Sequence, residues 1–196
     1  MIKDSALVVV DMLYDFIDGS LACQNAAQAV KNTRAFIEEA VEGINEDANE
    51  IVGGFPILFV RDHHPAEHCS FKEYGGIWPK HCIAGTHGGE IHNDLQQFVV
   101  EDLVFNKGCD KGHEQYSGAD GQNEAGQSLC EILELLDSHD VYVCGIATEY
   151  CVKNTCEDLC KAGFKVHLLT DCIGYVDSQG HEKALAEMDK EGINLI

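Results

Sequence analysis

Positive charge is what this chain has least of. Its 13 Lys and Arg face 34 Asp and Glu, a formal net charge of −21. Such a surface repels nucleic acid and anionic membranes, and no basic patch offsets it. Long apolar runs are missing too. No stretch has the length of a membrane span or the pattern of a signal peptide, so the sequence reads as a cytoplasmic protein. Internal repeats, linkers and low-complexity tracts are absent. So is a Gly-rich phosphate loop: Gly53-Gly54 precedes a strand instead of opening a helix, which argues against a dinucleotide fold. No Cys-x-x-Cys pair occurs among the 10 cysteines. Several of them (Cys144, Cys156, Cys160) fall inside expected strands and helices. With no export signal, most read as reduced, buried thiols.

What remains is a globular composition. The 196 residues, 45% of them apolar, suit one domain over 1–196 with a full core. Ala6–Val10 is a continuous apolar run, the mark of a strand covered on both faces, and Asp11 ends it. A helical stripe follows through Ala27, Val30, Phe36, Ile37, Ala40, Val41 and Ile44. Further strands are expected at Pro56–Val60, ended by Arg61-Asp62, and at Leu103–Phe105, closing at Asn106-Lys107. Others are expected at Val141–Cys144, Lys165–Leu169 and Ile193–Ile196. Helices are expected near Glu124–Leu136, from about Cys151 to a stop at Gly163, and over Ser178–Lys190. Strand and helix alternate. That predicts an α/β fold, a three-layer α/β/α sandwich around a mainly parallel sheet. In such folds ligands bind beyond the carboxyl ends of the strands. Asp11, Asp62, Lys107 and Cys151 all stand near such ends.

Cys151 is the natural centre of any chemistry. It falls at a helix start directly after a strand, where backbone N–H groups and the helix dipole favour an anion. A thiol so placed is expected to lose its proton more easily and act as a nucleophile. Asp11 could take that proton, and Lys107 could hold both groups as anions. A second constellation lies in Asp62-His63-His64-Pro-Ala-Glu-His68 and Trp78-Pro-Lys-His81-Cys82. Asp and His two apart, with a further His on the same long loop, can make a two-His, one-carboxylate site with open positions. Such donors suit zinc, iron or manganese.

The motifs, taken together, resemble a known family. They are Val-Val-Asp11-x-x-x-Asp15-Phe16, Asp62-x-His64-Pro-Ala-x-His68-x-Ser-Phe71 and Trp78-Pro-x-His81-Cys82-x-x-Gly85-Thr86-x-Gly88. Lys107-Gly108 with Tyr116-Ser-Gly118, and Gly145-Ile-Ala-Thr-x-Tyr-Cys151-Val152, complete the set. In this order they are similar to the nicotinamidases, a branch of the isochorismatase-like cysteine hydrolases. The resemblance implies a catalytic triad of Asp11, Lys107 and Cys151. It implies one divalent metal ion, zinc first, on Asp62, His64 and His81, with His68 as an additional or second-layer ligand. It implies a pocket for a pyridine carboxamide formed by Phe16, Leu21, Trp78, Tyr116, Ile146 and Ala147, and an oxyanion site at the N–H groups of Ala147 and Cys151. A cis peptide between Ile146 and Ala147 is implied as well. The expected reaction is deamidation of nicotinamide to nicotinic acid through a Cys thioester, with no organic cofactor. The sequence departs from the family at Leu13-Tyr14, His63, Glu149 and Ala119. Two other readings stand beside this one. One is an amidase of the same superfamily acting on a carbamoyl or ureido compound. The other is a metal- or thiol-binding protein without turnover. Self-association is left open.

Overall fold

The computed structural model describes residues 4–42 and 55–196. Six strands form one sheet: β1 (Ser5–Val10), β2 (Ile57–Asp62), β3 (Val104–Lys107), β4 (Asp140–Gly145), β5 (Lys165–Ile173) and β6 (Asn194–Leu195). Their order is β3-β2-β1-β4-β5-β6, and every pairing is parallel. Five α-helices accompany them: α1 (Tyr14–Ile17), α2 (Ala26–Glu42), α3 (Leu129–Leu135), α4 (Lys153–Lys161) and α5 (Ser178–Lys190).

The all-apolar run of β1 is explained by its central place. All six of its residues are buried. Ala6, Val8 and Val10 face one layer, with Leu133 of α3, Cys156 and Leu159 of α4 and Met188 of α5. Leu7 and Val9 face the other, with Ala29, Val30 and Ile37 of α2. Alternate side chains of one strand thus feed two cores, and the three-layer α/β/α architecture follows.

Several element ends differ from the sequence expectation. Arg61-Asp62 and Asn106-Lys107 do not lie beyond β2 and β3 but form their last two residues, Arg61 opposite Asn106 and Asp62 opposite Lys107. Their polar side chains satisfy one another: Arg61 Nε donates to Asn106 Oδ1 at 2.6 Å. Helix α3 starts at Leu129, later than Glu124. Gly126 (φ 78°) turns the chain, and Ser128 and Glu131 then close a capping box that fixes the start. On α2 the buried face is Ala26, Ala29, Val30, Thr33 and Ile37, while Ala27 points to solvent. Strand β5 runs on past Leu169 to Ile173 through the polar pair Thr170-Asp171, which breaks the apolar run. Ile44 and Gly53-Gly54 lie outside the described residues. Helix α5 has the expected bounds, with Asp177 Oδ2 accepting from Gly180 N at 2.8 Å as its N-cap. Among the described residues no helix is long and apolar enough to cross a membrane.

Candidate active site

An all-parallel sheet delivers every strand's carboxyl end to one edge. The chain leaves β1 for β2 on one side and reaches β4 on the other, which opens a crevice at that edge. Asp11 follows β1 in a left-handed conformation (φ 50°) that a short polar side chain tolerates. Asp62 and Lys107 are the last residues of β2 and β3. Cys151 lies in a π-helical turn, Thr148–Val152, between β4 and α4. That turn begins with the close approach of Gly145 (φ 133°) to β1, where a Cβ would fall 1.9 Å from the Val10 carbonyl oxygen. The Ile146–Ala147 peptide is cis. Helix α4 ends at the expected place, with Gly163 (φ 99°) as its stop and Phe164 N donating to Leu159 O.

The four strand-end residues do meet. Lys107 Nζ lies 2.9 Å from Asp11 Oδ2 and 3.3 Å from Cys151 Sγ, and it also pairs with Asp62 Oδ1. Asp11 Oδ1 accepts from Asp62 N at 2.8 Å. Asp11, Asp62 and Cys151 present donor atoms all within 4.8 Å of one another. A lysine buried to 1% exposure is rare, and here it is fully paired. Burial works against its charge, but Asp11 and Asp62 outweigh that and raise its pKa well above the usual value. Burial and the neighbouring Asp62 push Asp11 up to about 7. On Asp62, by contrast, Lys107 and His64 overcome burial and lower the pKa.

One expectation is corrected here. The helix-start argument gives Cys151 an easily lost proton. In the structure burial raises its pKa well above the usual thiol value, and Lys107 offsets this only in part. Asp11, whose pKa burial also raises, shares the ammonium of Lys107 with the Cys151 thiol.

The metal loop folds over the same edge. His64 Nδ1 faces the carbonyl of His81 at 3.2 Å, and His81 Nδ1 faces that of Pro79 at 2.8 Å. Both rings thereby turn Nε2 towards Asp62, at 3.6 Å from Oδ1 for His64 and 3.9 Å from Oδ2 for His81. Burial, the main cause, lowers the pKa of His64 to about 4 and also lowers that of His81, a direction that favours neutral rings as lone-pair donors. His64 Nε2 is buried without a hydrogen-bond partner. An orphaned imidazole nitrogen, a second neutral imidazole and a carboxylate, each ring oriented by a backbone carbonyl, are a donor set that fits a divalent cation. Gly108 (φ 67°) leaves the room: a Cβ there would stand 2.6 Å from His64 Nε2.

His68 is placed differently. Its ring stacks on His64 at 4.2 Å, and both its nitrogens have protein partners, Ser70 Oγ at 2.7 Å and the His113 carbonyl at 3.0 Å. It groups with His64 and Glu114 instead of with Asp62 and His81. The arrangement favours the second-layer role.

A pocket opens above Cys151. Phe16, Leu21, Trp78, Tyr116 and Ala147 line it as expected, together with Asp62 and His81. Ile146 does not. It is fully buried, because the turn after Gly145 directs it into the α2-side core, where it faces Gly174. Three lining residues were not foreseen: Glu114, Tyr150 and Val176. Tyr150 packs edge-on against Trp78 at 5.0 Å, and Trp78 Nε1 donates to Tyr116 OH at 3.2 Å. Its place beside Cys151 was a usable signal. Glu114, whose pKa burial raises, shares a motif loop with Tyr116. Val176 stands in a loop after β5 that no sequence pattern marks.

The isochorismatase domain family matches residues 5–196. The nicotinamidase/pyrazinamidase of Mycobacterium tuberculosis is 33% identical over 97% of each chain. Among solved structures, the pyrazinamidase of Pyrococcus horikoshii in complex with zinc superposes with a TM-score of 0.84 at 35% identity, covering 98% of each chain. PnC1 from L. infantum in complex with nicotinate gives 0.82 at 28% identity, covering 100% of this chain and 93% of the other. The match reaches from β1 to the last strand, and the chain belongs to the isochorismatase domain family, in its nicotinamidase/pyrazinamidase branch.

Proposed function

We propose that the chain is a metal-dependent cysteine amidohydrolase that deamidates nicotinamide to nicotinic acid and ammonia. The observation that carries the reading is the meeting, at one edge of the sheet, of the buried Asp11–Lys107–Cys151 cluster with Asp62, His64 and His81, with Cys151, Asp62 and His81 reaching the pocket. A nucleophile, a base and a cation are there for acyl transfer. The zinc of the Pyrococcus pyrazinamidase and the nicotinate of the L. infantum protein support it.

Asp11 takes the Cys151 proton as the sulfur attacks the carboxamide carbon. Lys107 keeps its charge and steadies the anions on either side. The N–H groups of Ala147 and Cys151 receive the oxyanion. Asp11 returns the proton to the departing nitrogen, which leaves as ammonia and a thioester remains. Asp11 then takes a proton from water, the resulting hydroxide attacks the thioester, and nicotinic acid leaves as the thiol regains its proton. A divalent ion held by Asp62, His64 and His81 supplies, when bound, a positive anchor for the ring nitrogen of the substrate. Zinc is the ion proposed, and iron or manganese suits the same donors. Phe16, Leu21, Trp78 and Tyr116 enclose the ring. Residues 1–196 are read as one domain, since strands from both ends of the chain join one sheet. The acidic composition and free cysteines fit a cytoplasmic enzyme.

Ammonia release from nicotinamide, with and without a chelator, tests the reading. Chelator-sensitive release supports it. Turnover of an N-carbamoyl compound that survives chelation would instead favour the carbamoyl-amidase alternative. Metal binding with no ammonia from any amide would make the protein non-catalytic.

A further inference from the structure

We propose that Glu149 is a positioning residue for substrate, acting through the backbone of Val176. The inference rests on the pocket being the nicotinamide site. Val176 supplies part of the pocket lining, yet it stands in a loop between β5 and α5 with no strand ladder of its own. Its backbone must therefore be held by side chains. Glu149 Oε1 accepts from Val176 N at 2.9 Å and from Asp177 N at 2.7 Å. On the other side Gln24 Nε2 donates to the Val176 carbonyl at 3.1 Å. Gln24 also exchanges backbone bonds with Tyr175, at 2.7 and 3.0 Å.

The loop is tied to the nucleophile turn by consecutive residues. Thr148 donates to the Gly174 carbonyl through both N (2.8 Å) and Oγ1 (2.9 Å), and Glu149 receives the next two free amides. Two convergent N–H donors suit an ionised acceptor, and the approach to the N-terminus of α5 adds favourable dipole. Tyr150 and Cys151, the next residues, line the pocket. Glu149 thus fixes the separation between the wall at Val176 and the sulfur at Cys151. Its Oε1 spends its contacts on backbone amides, so Glu149 sets where the ring lies and leaves the bond-making groups alone.

The test is a steady-state comparison on the metal-loaded, full-length enzyme with nicotinamide. Glu149→Ala frees Val176 and should raise KM about tenfold while kcat stays within roughly threefold. Glu149→Gln keeps an acceptor oxygen and should restore KM to within about threefold of the parent. Gln24→Ala releases the other side of the same peptide unit and should raise KM in the same direction. That variant also decides the matter if Glu149→Ala does not fold. A fall in kcat with KM unchanged, or unchanged KM in the variants that fold, overturns the inference. If the parent enzyme releases no ammonia from nicotinamide, it is the functional reading that fails, which the parent assay alone reveals.

Discussion

The ammonium of Lys107 stands 3.3 Å from the sulfur of Cys151, and both side chains are buried. The same cation balances Asp11 and Asp62. Lys107→Met would leave the buried carboxylates of Asp11 and Asp62 without the ammonium that pairs with both. The folded state should lose about 3–5 kcal/mol, because an unpaired buried charge is costly. Denaturant unfolding reads this directly, and an unchanged midpoint would contradict the pairing.

Cys151→Ala removes the proposed nucleophile and little else. Ammonia release should fall by about three orders of magnitude or more, as when a covalent step is deleted. The circular dichroism spectrum should be that of the parent. Near-normal turnover would sink the mechanism.

Thiol labelling tests the raised pKa of Cys151. Burial raises that pKa, and the Lys107 ammonium beside the sulfur offsets the rise in part. Iodoacetamide should therefore modify the exposed Cys109 first. Cys151 should follow, with a rate that climbs as pH rises, ahead of Cys144 and Cys156, which have no cation beside them. Peptide mapping by mass spectrometry gives the order. Labelling of Cys144 before Cys151 would refute the role of Lys107.

Benzamide has the shape of nicotinamide without the ring nitrogen. If that nitrogen anchors the substrate, kcat/KM for benzamide should be at least about 100-fold lower. His64→Ala should act chiefly on KM for nicotinamide, since the attacking group is untouched. Equal efficiency on the two amides, or full activity after exhaustive chelation, removes the proposed anchor.

Gly108→Ala would drive a methyl group towards His64 Nε2 from a backbone that already has φ 67°. Zinc affinity, read by competition with a chromophoric chelator, should fall at least about tenfold. An unaltered affinity would show that His64 Nε2 is not a ligand.

The sequence made the edge of the sheet legible before its interior details. Apolar runs located the strands, and parallel order alone then brings Asp11, Asp62, Lys107 and Cys151 to one side. What stayed hidden depended on partners distant in the chain. Asp62 and Lys107 continue their strands because each answers the other across the ladder. Ser128, a local cap, sets the start of α3 later than the expected Glu124. Ile146 was assigned to the pocket by the family resemblance, but the turn at Gly145 sends it inward. Val176 owes its place to side chains 27 and 152 residues away, Glu149 and Gln24, and no periodicity records such a bond. The helix-start rule for Cys151 held for position, while burial raises the thiol pKa where the rule expects it lowered.

The four groups at the sheet edge are separated by 51, 45 and 44 residues along the chain, and each arrives on a different strand. No contiguous segment shorter than 11–151 contains all four groups. Catalysis is consequently an all-or-none reporter of assembly: a subpopulation that has lost the β3 edge or the β4 turn is silent, however much helix it retains. During refolding, recovered activity should lag recovered helical signal and coincide with burial of the central strand.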